Sequence, residues 1–368
     1  MAETDRMAPM PLPSPALMTG APGMRTRLLA RVLHAKLARG TAFDSLPAPE
    51  ILNTPGICEC RPALFEPDQL ERVRACGFRR SIYDEVAKLT ATRFLEGPLE
   101  RYRLGPAVIA GGWILTRERT LYFGARSPLK ALGGPLRELD RAEIVSSEQG
   151  VKYFGHWLRD DCPLYDWIRN RVQPFALTRP NWPDRHLYEA AFDQRWETLD
   201  FARIGDLTVY RDLSFHHEKD QRIRQLRQKL RAAHPGRPGG QIVYLTRGQM
   251  GSPRTMSNAA AFEAAMQAAG IRVVTPGSDP ARLLDDLLDA RMIITIEGSQ
   301  AAHGVYMLAE GGAMLVLQPP ERFYNPHHEW LRLLGMRYGT VIGTKDETSF
   351  HVDPDEVLRM VDRIEAAE

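Results

Sequence analysis

The sequence has little of what commits a chain to nucleic acid, to a membrane interior or to a disulfide-stabilised fold. Its 48 Lys and Arg residues barely exceed its 46 Asp and Glu residues, so the basic surplus of a nucleic-acid-binding protein is missing. No run reaches the roughly 18 apolar residues that a membrane-spanning helix needs. Four cysteines in 368 residues are too few for a disulfide framework and lack the paired spacing of a structural zinc site. We therefore expect reduced thiols in a cytoplasmic protein.

Signature motifs of several enzyme classes are missing as well. The sequence contains no G-x-G-x-x-G dinucleotide fingerprint, no P-loop, no H-E-x-x-H zinc motif and no serine nucleophile elbow. It also shows no set of carboxylates spaced to hold a divalent metal. We expect neither a metal nor a resident cofactor.

The length predicts about two domains, preceded by an irregular segment. Residues 1–24 are rich in Pro, Met and Ala, and are predicted to be disordered rather than a signal peptide. The segment Arg25–Arg39 predicts a basic helix with Leu29, Val32 and Leu33 on one face. It has two interpretations: a surface helix packed on the first domain, which we favour, or a peripheral contact with the inner face of an anionic membrane.

The rest of the chain predicts an α/β fold divided after residue 200. Residues 25–200 contain a β-meander and a helix over Tyr153–Arg171 that Pro163 should interrupt. Strands and helices alternate through residues 201–345, which is typical of a parallel sheet with helices on both faces. Residues 346–368 predict a last helix. The strands predicted after residue 200 are Leu207–Tyr210, Gln241–Leu245, Ile271–Val274, Met292–Ile296, Ala313–Leu317 and Gly339–Ile342.

Parallel sheets bind ligands at the carboxyl ends of their strands, and one such loop carries two arginines. Arg247 directly follows a predicted strand, and Arg254 lies in the same loop. Two arginines placed in this way suit a diphosphate, because each guanidinium can donate two hydrogen bonds. Taken alone, solvated loop arginines are the simpler interpretation.

A second loop is a turn of small residues between a strand and a helix. Such a turn lets phosphate or sugar groups approach the free amides at the start of the helix. Its candidate ligand-binding residues are Gly298, Ser299, Gln300 and His303. The alternatives are a turn in which Ser299 only caps the helix and a packed, hydrogen-bonded His303.

A third pattern places His156 and Asp160 four residues apart on one predicted helix face. A carboxylate beside a histidine suits a general base and its partner. The alternative is an ordinary ion pair on a helix.

Taken in order, these segments resemble the glycosyltransferases of family 61, over roughly Tyr102 to Asn325. The segment YFGHWLRDDCPLY, from Tyr153 to Tyr165, is similar to the family's His-Trp, Asp and Pro signature. The positions that match this signature are His156, Trp157, Asp160 and Pro163. Further matches are AVIAGGWIL (Ala107–Leu115), YLTR (Tyr244–Arg247), Arg254, Asn258, the turn at Gly298 and the small-residue strand Gly311–Leu317.

This resemblance implies a GT-B architecture, in which two Rossmann-like domains face each other across a cleft. It implies an inverting, metal-independent enzyme that moves a sugar from a nucleotide-activated donor to a glycan or a lipid-linked glycan in surface or capsular polysaccharide synthesis. Asp160 is the expected base, with His156 second, and the two arginines and the turn after Gly298 are expected to bind the donor.

The final motif departs from the family pattern, because Gln300 stands where a His is expected and Tyr306 where an Asn is expected. His303, three residues on, is interpreted as a shifted substitute. The alternatives to a transferase are a non-catalytic protein that binds a glycan or a nucleotide and an NAD-dependent sugar-nucleotide enzyme.

Overall fold

The protein has an α/β fold with one mixed sheet and one parallel sheet, as the alternation of strands and helices in the sequence predicts. The structure is a computed structural model that describes residues 23–37, 46–123, 128–178, 182–234, 239–247, 254–277 and 279–367. Residues 1–22 of the segment predicted to be disordered lie outside these ranges.

The first sheet contains the predicted meander and pairs it with parallel strands. Its elements in chain order are β1 (Glu50–Ile51), β4 (Glu100–Ala110), β5 (Trp113–Thr116), β6 (Thr120–Tyr122), β7 (Arg137–Ile144), β8 (Pro174–Ala176), β9 (Glu197–Thr198) and β10 (Phe201–Arg211), while β2 (Ile57–Glu59) and β3 (Arg93–Leu95) form a separate pair. The order is β6-β5-β4-β10-β7-β8-β9, with β1 beside β4. Gly111 and Gly112 make the tight turn between β4 and β5 with φ of 55° and 84°, because this hairpin turn requires positive φ at both central residues.

Several α-helices precede the second sheet in the chain. They are α1 (Met24–Leu37), α2 (Ile82–Thr90), α3 (Pro128–Gly133), α4 (Glu148–Lys152), α5 (Phe154–His156), α6 (Cys162–Arg169), α7 (Arg185–Ala191) and α8 (His217–Ala233). A π-helical turn, Trp157–Asp161, joins α5 to α6, so the predicted helix over Tyr153–Arg171 is broken where Pro163 follows. Cys162 N–H donates to the carbonyl of Trp157 in this widened turn. Such turns are rare and frequent at functional sites.

The second sheet is parallel, as predicted, and has five strands. The sixth strand that the sequence predicts after residue 200, Leu207–Tyr210, belongs instead to β10 of the first sheet. Its elements are β11 (Ile242–Leu245), α9 (Ala259–Ala268), β12 (Arg272–Val274), α10 (Pro280–Leu287), β13 (Ala290–Ile296), α11 (Ala301–Met307), β14 (Leu308–Gln318), α12 (Pro326–Leu333) and β15 (Arg337–Ile342), followed by the hairpin β16 (Thr344–Asp346) and β17 (Ser349–His351) and by α13 (Pro354–Ala366). The strand order is β12-β11-β13-β14-β15. The strand order therefore reverses at β11, since β12 lies on one side of it and β13 on the other. Sheets of this type bind ligands at such a reversal point, here between β11 and β13.

Helix α1 packs on the meander. Leu28 and Val32 are buried against it, whereas Leu33, predicted to share the apolar face, is 50% exposed. Arg31 donates to the carbonyl of Thr116 over 2.9 Å, which ties the helix to β5. The part of the apolar face that carries Leu28 and Val32 is thus covered by protein, as the surface-helix interpretation expects. Within the part of the chain that the structure describes, we find no helix with the length and apolar character to cross a membrane.

Two features cross the division predicted at residue 200. Strand β10 lies after it but pairs with β4 and β7, so the first sheet extends to Arg211. Conversely, Leu64 forms a parallel bridge with Gly339 of β15, and Arg72 pairs with Glu356 of α13 at 2.6 Å. The early chain therefore contributes to both sheets.

Candidate functional site

A cavity of about 420 Å³ opens at the carboxyl end of the parallel sheet, within the size range of small-molecule sites. The four loops that follow β11, β12, β13 and β14 all line it, through Arg247, Pro276, Glu297 and Arg322. On the other side it is lined by residues from Lys152 to Arg159. The cavity therefore lies at the reversal point of the parallel sheet and faces the π-helical segment.

Three arginines converge on the β13 side of the cavity. Nε of Arg254 lies 2.6 Å from Oε2 of Glu297, and Nε of Arg322 lies 3.1 Å from the same oxygen. Arg247 donates to the carbonyl of Glu297 and to Oε1 of Gln300, at 2.9 and 3.0 Å. Burial, reinforced by the charge of Arg254, lowers the pKa of Arg247 to about 10. Both sequence-predicted arginines thus lie in one basic cluster, which an anion entering the cavity would stabilise.

Gly298 allows Arg247 to lie against the turn after β13. Its φ is 151°, a backbone conformation that residues other than glycine rarely adopt, and a Cβ there would collide with Nη1 of Arg247. The glycine therefore acts through close approach of the arginine. Ser299 is exposed in the cavity. The side-chain oxygen of Gln300 accepts a hydrogen bond from Arg247 and so holds that arginine in place.

Three of the amides at the start of α11, which the sequence predicts to be free for a ligand, have partners within the turn. The N–H groups of Ala301, Ala302 and His303 donate to the carbonyls of Gly298, Ser299 and Gln300 at 3.0, 3.1 and 3.0 Å. The turn itself therefore uses these three amides. The alternative in which Ser299 caps the helix is not seen either, because α11 has no side-chain bond at its N-cap.

His156 lines the cavity, and Asp160 lies beneath it. Nδ1 of His156 is 2.8 Å from Oδ2 of Asp160 and 2.9 Å from Nη2 of Arg159. The His156 side chain is 27% exposed and the Asp160 side chain 2%, so only the imidazole reaches a ligand. Burial and Arg159 lower the pKa of His156, which keeps the ring neutral and able to accept a proton.

Asp160 is held by two cations. Arg159 contacts both of its oxygens at 2.8 Å, and the fully buried Lys219 of α8 donates to Oδ1. Burial acts to raise the pKa of Asp160, but Arg159 and Lys219 outweigh it and hold that pKa well below the usual carboxyl range. A carboxylate this strongly paired is a poor base. Of this pair, His156 therefore faces the cavity, and Asp160 lies behind it as its hydrogen-bonded partner.

His303 is a packed histidine in the cavity wall. Its Nδ1 lies 2.7 Å from the hydroxyl of Tyr188, its Nε2 lies 3.3 Å from Asp184, and its ring centre is 4.8 Å from that of Phe154. Both nitrogens have protein partners, as the simpler interpretation of this residue expects. Tyr306, the other departure from the family pattern, is buried and donates to the carbonyl of Leu158 in the π-helical turn over 2.8 Å.

Helix α12 supplies residues that sequence reasoning missed. His327 and Trp330 line the cavity, and neither Nδ1 of His327 nor Nε1 of Trp330 has a hydrogen-bond partner among the described residues. Burial, with Arg159 nearby, lowers the pKa of His327 to about 3, so this ring is neutral. Arg322 was missed as well, although the Pro-rich loop that carries it follows a predicted strand of the sheet. No sequence pattern marked His327 or Trp330 as a site residue, because His and Trp residues also suit a core helix.

No group of three or more metal-ligating side chains occurs within the described ranges. Comparison of the sequence with protein-family models and with curated proteins gives no match.

Proposed function

We propose that the protein is an inverting glycosyltransferase of the GT-B type that takes its sugar from a nucleoside diphosphate. The observation that carries this proposal is the convergence of Arg247, Arg254 and Arg322 at the reversal point of a parallel sheet, opposite a neutral histidine. Two Rossmann-like domains facing a cleft would account for a cavity lined from both sides. The similarity to family 61 supports the same reaction.

In the proposed reaction, a hydroxyl oxygen of the acceptor attacks the anomeric carbon from the side opposite the diphosphate. The bond from that carbon to the diphosphate oxygen breaks as the new glycosidic bond forms. Nε2 of His156 takes the proton, and Asp160 orients the ring and stabilises the imidazolium. The three arginines stabilise the negative charge that develops on the leaving diphosphate.

The acceptor is proposed to be a glycan or a lipid-linked glycan of surface polysaccharide synthesis, and the enzyme is proposed to act in the cytoplasm. The membrane contact through Arg25–Arg39 receives little support. An amphipathic helix bound to a membrane would insert its apolar side chains into the lipid. Leu28 and Val32 of α1 are instead packed on the meander.

Arg247→Ala tests the donor site. We expect it to weaken binding of a nucleoside diphosphate by about 1.5–3 kcal/mol, the usual contribution of a hydrogen bond to a charged group. Titration calorimetry with UDP and GDP measures the change, and Arg282→Ala is the matched control because Arg282 is 79% exposed on α10 and does not line the cavity. An unchanged affinity in the Arg247 variant would remove this residue from the site.

A thermal-shift screen separates the proposal from its alternatives. Stabilisation by UDP or GDP supports the transferase, whereas stabilisation by NAD alone would favour an NAD-dependent enzyme. Nucleotide binding without turnover of any nucleotide sugar would favour a non-catalytic binding protein.

A further inference from the structure

The mouth of the cavity carries an aromatic residue in an unusual backbone conformation. Phe78 has φ of 55° and its neighbour Arg79 has φ of 59°, both in the left-handed region of backbone conformation that residues other than glycine rarely occupy. Each such residue costs about 1–3 kcal/mol, and such strain clusters at functional sites. The Phe78 side chain lines the cavity and is nevertheless 54% exposed.

The surrounding structure holds this strained turn in place. Gly77 N–H donates to the carbonyl of Phe323 over 3.2 Å, and Phe323 N–H donates to the carbonyl of Ala75 over 2.9 Å. A Cβ on Gly77 would meet Cβ of Tyr324 at 2.9 Å, so the two segments are in close contact. The loop after β14 therefore fixes the ring of Phe78 at the mouth.

Two other aromatic rings stand beside Phe78. Tyr324 lies edge-on with its ring centre at 5.0 Å, and Tyr153, itself 40% exposed, lies at 6.1 Å and is nearly perpendicular. The ring of Tyr153 in turn lies 5.8 Å from that of His156. A continuous aromatic path thus leads from the mouth to the proposed base.

The same side of the cavity offers neutral hydrogen-bonding groups. His327 follows Tyr324 by three residues, and its buried Nδ1 lacks a partner among the described residues. A neutral imidazole suits a hydroxyl better than a phosphate. Aromatic faces combined with neutral polar groups are complementary to a sugar ring, which has apolar C–H faces and hydroxyls at its edge.

We propose that Phe78, Tyr153 and His327 form a binding subsite for the sugar ring of the acceptor, with Phe78 stacking on its apolar face. This inference rests on the proposed function, because the sugar is assigned to the acceptor only if His156 is the base that takes the proton of the acceptor hydroxyl. Arg322 lies 4.9 Å from the centre of the Phe78 ring and marks the boundary with the basic cluster. The acceptor sugar would enter past Phe78 and present a hydroxyl to His156.

Saturation-transfer NMR tests the subsite without turnover. The probes are methyl β-D-glucoside, methyl β-D-galactoside, methyl N-acetyl-β-D-glucosaminide and methyl α-D-mannoside, each titrated with the full-length protein saturated with UDP. We expect Phe78→Ala to weaken the best of these probes by about tenfold and to leave the affinity for UDP unchanged. Phe78→Trp should retain binding. Tyr83→Ala is the matched control, because Tyr83 is 83% exposed and does not line the cavity.

His327→Gln and His328→Gln provide a second comparison. Both histidines are buried on α12, but only His327 lines the cavity, so only its variant should weaken the sugar probe. Unchanged sugar binding in Phe78→Ala would overturn the subsite. A loss of UDP affinity with sugar binding intact would also overturn it, in favour of a platform for the nucleobase. If the wild type binds the sugar probes but no nucleoside diphosphate, the proposed function fails while the subsite stands.

Discussion

His156→Ala is expected to lower the rate constant of sugar transfer by about 10²- to 10⁴-fold, the usual contribution of a positioned base. The imidazole lines the cavity and Asp160 does not. Under the proposed function, the variant therefore removes the group of this pair that takes the proton of the acceptor hydroxyl. Single-turnover kinetics with the nucleotide sugar that the binding screen identifies would measure the effect. UDP affinity should stay within about twofold, since the arginines are untouched.

The control for this variant is His217→Ala, because His217 is exposed on α8 and lies outside the cavity. The wild-type enzyme should also keep its activity to below the ordinary histidine pKa of about 6.5, since burial and Arg159 lower the pKa of His156. A His156→Ala enzyme that retains a third of the wild-type rate would contradict the assignment of the base.

Asp160→Asn is expected to destabilise the protein by about 3–5 kcal/mol. The substitution removes the negative charge that Arg159 and Lys219 share, and loss of the charged partner leaves buried positive charge uncompensated. Urea denaturation at pH 7 gives the difference in the free energy of unfolding. Asp206→Asn, at an exposed position in β10, should change it little.

The effect of Asp160→Asn should depend on pH in a defined direction. The folded-state pKa of Asp160 is depressed, so its stabilisation is present above the unfolded carboxyl pKa of about 3.9 and is lost as the pH falls below it. The gap between wild type and variant should therefore narrow between about pH 4 and pH 2. A gap that stays constant over this range would show that the stabilisation does not come from the ionised carboxylate.

The transfer rate of the Asp160→Asn variant should fall as well, because Asp160 is proposed to orient His156. An unaffected rate would remove that role.

The parallel sheet was predictable from sequence, and the partnerships inside the cavity were not. Buried strands such as Met292–Ile296 are apolar runs between turn residues, so the local sequence pattern is enough to predict them. Strand β7 was missed, because its first half is exposed and charged and only Ala142 to Ile144 are buried at its end. A strand of this kind is specified by its parallel pairing with β10, which no local pattern shows.

The residues of the candidate site also fall into two groups, those that the sequence marks and those whose contacts it does not show. Arg247 and His156 stand at positions that strand ends and helical spacing mark. The roles of Lys219 and Phe78 depend on contacts between distant parts of the chain, such as Lys219 with Asp160 and Phe78 with Tyr324. The burial of Asp160 behind His156 likewise comes from packing, which spacing on a helix face does not reveal.

The bridge between Leu64 and Gly339 has a consequence for how the chain folds. Leu64 N–H donates to the carbonyl of Tyr338, and Thr340 N–H donates back to Leu64, so the edge of the second sheet is completed by a segment from early in the chain. Contacts between residues so far apart in sequence close large loops and slow folding. During synthesis the segment with Leu64 emerges long before β15, so the two can pair only after β15 has also left the ribosome. A fragment cut after residue 200 would leave that edge open, and open edges pair with other chains.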